Sequence, residues 1–253
     1  MVFAKVKIVA VALFISWLTM SVPARAGDSG FILEQKSAVC GDVKLYTSSK
    51  AFKLVHKSTG CQLIMKTPAW KVDFFNPTSK VLFETDARKW TGESSNFLAG
   101  LISASRFSGM VEQDTKKNAT RIAGLHCNET HLVRPGKLPP NIRQNMNELR
   151  GATYYGTNEL SLPAEVAFVL QRFYRIPTVK GFPVRLDIFH LSGYKKNELD
   201  TTACEKSKLA SSTFDVPIGY RRVVRAGDVV VANKEGLLQD MSDGLGTEFG
   251  THK

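Results

Sequence analysis

Between residues 31 and 84 the chain alternates short apolar-rich runs with turn residues, and no gap between them is long enough for a crossover. A parallel pair needs a connection of a dozen or more residues, so this spacing dictates an antiparallel meander. Strand-like runs cover 31–39, 42–46, 51–56 and 62–66, with Ser58-Thr59-Gly60 as a hairpin turn. Trp70, Val72 and Phe74 alternate with Lys71 and Asp73, the period of a half-buried strand. Asn76-Pro77-Thr78-Ser79 is a turn, and 81–84 is a further short run.

Helical and extended segments share the second half. Ser94-Ser95-Asn96 can cap a helix over 97–107, with Phe97, Leu98, Leu101 and Ile102 on one face. Strand-like runs resume at 121–125 and 130–133, a short polar helix fits 141–149, and 152–155 is another strand. A stronger helix covers 164–174. Ser161 and Pro163 precede it, Val166, Val169, Leu170 and Phe173 share a face, and Pro177 lies past its end. Gly181-Phe182-Pro183 opens a strand through Val184, Leu186 and Ile188, partnered by 198–204 across Ser192-Gly193. Residues 213–220 read as a closing extended segment, and 229–253 as a loose tail with little periodicity.

Residues 1–26 read as a cleaved signal peptide. Lys5 and Lys7 form a positive start, residues 8–18 an apolar run, and Ala24-Arg25-Ala26 a cleavage site. A bilayer span needs about 20 apolar residues, more than this run holds. No later stretch is long and apolar enough either, so the expected product is a soluble monomer in the periplasm or outside the cell. The formal net charge is +11. Removing the first 26 residues takes away three cations (Lys5, Lys7, Arg25) and no acid, which lowers +11 by three to +8. Export argues against nucleic acid as the partner for this charge and leaves anionic headgroups, wall polymers or acidic ligands, beside the plain reading of a solvated basic surface.

Cys40, Cys61, Cys127 and Cys204 would all stand in the exported product. An oxidising compartment predicts disulfides, and the spacing matches no zinc pattern. Three connectivities are open. Cys40–Cys61 with Cys127–Cys204 keeps early strands separate from late ones, and buried free thiols are the alternative. His126, Cys127 and His131 lie close in sequence, yet neighbours in an extended chain point to opposite faces. His56 and His190, at the ends of strand patterns, read as half-buried side chains. No pairing of Glu129 or Glu148 with another carboxylate follows from the sequence. No nucleophile-elbow, phosphate-loop or zinc-protease motif occurs, so no catalytic residue, metal or cofactor is expected. Asn118-Ala119-Thr120 and Asn128-Glu129-Thr130 fit the glycosylation sequon.

Three segments come in order toward the C-terminus: Gly181-Phe182-Pro183-Val184-Arg185-Leu186, Leu199-Asp200-Thr201-Thr202, and Phe214-Asp215-Val216-Pro217-Ile218-Gly219-Tyr220-Arg221. With Pro68-Ala69-Trp70 through Phe75-Asn76, they resemble exported bacterial proteins distantly similar to the lipoprotein-carrier (LolA/LppX-like) superfamily. The resemblance spans most of residues 31–225. In a bacterial protein the two sequons would be silent. The resemblance implies an α+β fold: a strongly curved antiparallel sheet, an unclosed half-barrel, with helices over its concave face. One domain would then occupy 27–228. In that superfamily the cavity can hold acyl chains. The expected activity is non-catalytic binding of an apolar or amphiphilic, lipid-like ligand in a groove between sheet and helices. Candidate lining residues are Trp70, Val72, Phe74, Phe83, Phe97, Leu101, Phe173 and Leu186, for which plain core is the competing reading. The alternative function is a cell-envelope module with a filled core that binds another protein.

Overall fold

The computed structural model describes residues 28–92, 107, 109–135 and 149–231. The expected signal peptide, the helices at 97–107 and 141–149 (apart from Phe107 and Leu149), and residues 232–253 lie outside the described residues.

Twelve strands form one open sheet: β1 (Asp28–Ser37), β2 (Gly41–Ser48), β3 (Ala51–His56), β4 (Gln62–Lys66), β5 (Val72–Asn76), β6 (Val81–Thr85), β7 (Val111–Ile122), β8 (Leu125–Val133), β9 (Leu149–Thr157), β10 (Phe182–His190), β11 (Lys195–Leu209) and β12 (Arg221–Arg222). Their spatial order is β12-β6-β5-β4-β3-β2-β1-β11-β10-β9-β8-β7. Two meanders therefore meet where β1 pairs with β11. Every pair is antiparallel except β12 on β6. Two α-helices are described, α1 (Ala164–Tyr174) and α2 (Ala226–Val231), along with 3-10 turns at Ala87–Lys89 and Ser211–Phe214.

Strand alternation sorts side chains onto two faces. Leu33, Val43, Leu45, Phe52, Leu54, Leu63, Met65, Val72 and Phe74 join one core with Val166, Val169, Leu170 and Phe173 of α1. That core reaches Ile122 and Leu125 at one end of the strand order and Val81 at the other. Ala51, Ile64, Phe75 and Leu82 face the opposite way, where Leu209, Phe214, Val216 and Tyr220 cover them. The middle strands are apolar on both faces for this reason.

Three expectations change. The run at 121–125 is two strand ends. Ala123 and Gly124 both have positive φ, 48° and 85°, and they reverse the chain between β7 and β8. Residues 213–220 contain the end of a 3-10 turn and then irregular chain, and only Arg221–Arg222 pair as a strand. Val229 and Val230, expected to open the tail, are buried in α2.

Cys40, Cys61, Cys127 and Cys204 form no disulfide with one another, contrary to the expected bonds. Cys127 lies on β8 and Cys204 on β11, three strand spacings apart. A flat sheet would separate those strands by about 14 Å, and a disulfide needs Cα atoms within about 7 Å. Cys40 directs its thiol at the Phe173 carbonyl, 3.0 Å away, and not at Cys61.

Candidate functional site

Six of the residues expected to line a groove belong to the main core or pack against it. Val72, Phe74, Phe173 and Leu186 are buried in the main core, and Trp70 and Phe83 pack against it half-buried. Phe97 and Leu101 lie outside the described residues. Trp90 fills the same region: its indole meets Phe74 edge-on at 5.5 Å between ring centres and Phe83 at 6.4 Å. It stands just past a 3-10 turn, where no periodicity marks it in the sequence.

Helix α1 is seated on this core by polar as well as apolar contacts. The Tyr174 hydroxyl donates to Gln35 Oε1 at 2.5 Å. Gln35 Nε2 in turn donates to the Pro183 carbonyl and to Thr201 Oγ1, both at 2.8 Å. The Thr201 hydroxyl donates to the Val184 carbonyl at 2.7 Å. A buried polar group needs such partners to avoid a desolvation cost. Burial pushes the Tyr154 and Tyr174 hydroxyls above the ordinary tyrosine range. Arg175 ends the helix in the left-handed conformation, and Arg172 Nη1 donates to the Trp90 carbonyl at 2.7 Å.

On the other side of α1 a cleft of about 480 Å³ opens between the helix, the β9–α1 connection and the α1–β10 connection. Buried Leu160 and Phe182 form its floor, and half-buried Leu162, Phe168 and Val179 its walls. Asn158, Ser161, Thr178 and Lys180 stand around it, and Lys180 is the one charged lining residue. Ala164 and Ala167 are the small residues that leave the helix side of the cleft open.

Two side chains fix the outer connection. Gln171 Nε2 donates to the Val179 carbonyl at 2.5 Å and to the Tyr154 hydroxyl at 3.0 Å. The Tyr154 hydroxyl donates to the Gly181 carbonyl at 2.8 Å. Gly156 lets this loop lie on β9. A Cβ there would stand 2.9 Å from the Lys180 carbonyl oxygen and 2.7 Å from the Tyr154 ring. Of the groove residues expected from the sequence, none of the six that lie among the described residues lines this cleft. It is assembled mainly from loops, and Gln171 lies off the periodic apolar set of α1, so hydrophobic spacing could not reveal it. The glycines at 156 and 181 flanking a strong helix were the available signal.

Among the described residues no three His, Cys, Asp or Glu side chains gather to hold a metal ion. His126 and Cys127 point apart: His126 is exposed beside Arg121 at 3.0 Å, and Cys127 is buried. His131 instead pairs with Glu129 at 2.9 Å. Burial pushes the Cys127 and Cys204 thiols up to about 11, which leaves them protonated and poorly nucleophilic at neutral pH. No helix among the described residues is long and apolar enough to cross a membrane.

No protein-family model and no curated protein sequence matches the chain. Solved structures do resemble it. An uncharacterised conserved protein from Thermus thermophilus aligns over 79% of this chain and 91% of its own, at 9% identity and a TM-score of 0.38. MucB, solved in complex with MucA(peri), aligns over 80% of this chain and 58% of its own, at 10% identity and 0.33. A LolA superfamily protein from Nitrosomonas europaea aligns over 77% of this chain and 91% of its own, at 8% identity and 0.22.

Proposed function

We propose that this chain is an exported, non-catalytic binding protein that takes up one apolar chain of an amphiphile in the cleft beside α1. The observation that carries the reading is the cleft itself: an apolar floor of Leu160 and Phe182 under a rim whose one charge is Lys180. Its size falls within the range of about 300–1,000 Å³ usual for ligand sites. Each methylene transferred from water to such a floor contributes about 0.8 kcal/mol. Lys180 would meet an anionic headgroup at the mouth. Val72, Phe74, Phe173 and Leu186 act in this reading as the packed wall behind the helix.

In this reading the sheet backs that wall as a half-barrel. Helix α1 touches β10 and also the 3-10 turn after β6. Seven strand spacings separate β6 from β10, about 34 Å if the sheet were flat. An 11-residue helix is about 16 Å long. Both contacts together support the reading of a sheet curled round the helix, with α1 on its concave side.

The filled core behind α1 also favours a second reading, an envelope module that binds another protein and no small ligand. Native mass spectrometry of the protein purified from its own cells, followed by solvent extraction, separates the two. The expected result is a stoichiometric amphiphile above the bare mass, lost in Ala167→Trp. A bare mass with no uptake of added lipid would leave only the second reading. N-terminal sequencing of the same sample should begin at Gly27; a chain still carrying residues 1–26 would contradict export by cleavage.

A further inference from the structure

Four large apolar residues are conspicuously exposed among the described residues, and two of them, Ile218 and Val224, fall within seven positions of each other. Ile218 is 99% exposed and Val224 90%. They are held out by fixed backbone. Phe214, Val216 and Tyr220 are packed down on the sheet, with Tyr220 edge-on to Phe75 at 5.8 Å. Ile218 sits between these anchors at a turn completed by Gly219, whose φ is 81°. The Arg221 amide then donates to the Lys80 carbonyl and the Val223 amide to the Leu82 carbonyl, both at 2.9 Å. Val224 and Arg225 follow at the sheet edge, before α2 enters the main core through Ala226 and Val229.

Cations share this stretch of chain. Arg221, Arg222 and Arg225 lie in the segment, and Lys80 is hydrogen-bonded to it through its carbonyl. Among the nearby carboxylates, Glu84 is matched by Lys71 at 3.4 Å and Arg222 at 3.5 Å, Asp228 by Arg225 at 3.0 Å, and Asp215 by Lys66 at 3.8 Å. Half-buried Asp73 feels the charges of Lys66, Lys71 and Arg222 without a direct ion pair among the described residues. No carboxylate among the described residues pairs with Arg221 or Lys80.

We propose that this edge, Ile218 and Val224 with Arg221, Arg222 and Lys80, docks on the surface of an anionic bilayer. A stable protein partner would need roughly 800 Å² per side with a packed apolar centre, and two separate tips among arginines supply no such centre. A bilayer interface accepts single apolar side chains at the headgroup boundary while basic residues meet its negative surface. This inference does not rest on the cleft.

The test is co-sedimentation of the protein, as processed by its own cells, with vesicles of phosphatidylcholine alone or mixed with phosphatidylglycerol. Binding is expected only to the mixed vesicles and is expected to fall at high salt. Lys80→Ala with Arg221→Ala should weaken it about 25-fold, at roughly fivefold per cation. Ile218→Ser with Val224→Ser should weaken it severalfold. All these positions are exposed, so thermal unfolding should be unchanged, and Ala167→Trp should dock like the parent. No sedimentation, equal binding to both vesicles, or unchanged binding in both double variants would overturn the proposal.

Discussion

The two sides of α1 share eleven residues and do opposite things. On the inner side Val166, Val169, Leu170, Phe173 and Tyr174 are buried, and polar groups from three strands reach up to hold them. On the outer side Ala164, Ala167 and Phe168 border open space. Periodic large residues mark where a helix packs. The space beside it comes from small residues and from loops whose position is set by distant partners such as Tyr154 and Gly156.

That contrast breaks most sharply at Phe173. Phe173→Ala should cost about 3–5 kcal/mol, because it removes a fully buried ring and leaves a cavity. Urea unfolding measures this, and a loss under about 1 kcal/mol would mean the inner side is loosely packed. Gln35→Leu should cost about 1–3 kcal/mol, since it leaves the buried Tyr174 hydroxyl without its acceptor.

His56 tests the inner side by pH. Its Nε2–H donates to the Cys40 carbonyl, and the Cys40 thiol donates to the Phe173 carbonyl. Burial pushes His56 below its ordinary value, only partly offset by the Cys40 carbonyl and Asp42. The unfolded chain then binds a proton that the folded protein refuses. Stability is complete above about pH 6.5 and falls as pH drops below it toward the folded value. Melting temperature should fall as pH drops through this window, and the slope should flatten in His56→Gln. Identical slopes would remove His56 from the account. The smallest stability effect belongs to the outer side: Ala167→Trp should shift unfolding by about 1 kcal/mol or less, as substitutions away from packed features do, while abolishing amphiphile uptake.

Much of the sheet was legible. Strands β3 and β4 occupy the positions expected from their runs, as does α1, framed by Pro163 and Pro177. These elements carry their own period and their own stops. Strand β7 was not legible. Val111–Ile122 is exposed over most of its length and polar, so its support is the hydrogen-bond ladder to β8, which no local pattern records. The expected disulfides failed because compartment chemistry says nothing about strand order. Trp90, which no local pattern marked, packs against Phe74 and Phe83, two of the residues expected to line a groove.

The most direct test is photo-crosslinking with a diazirine-bearing fatty acid, mapped by peptide mass spectrometry. Binding beside α1 predicts adducts between Thr157 and Phe182, competed away by unlabelled fatty acid and absent in Ala167→Trp. Adducts between Trp70 and Trp90, or none that compete, would contradict it.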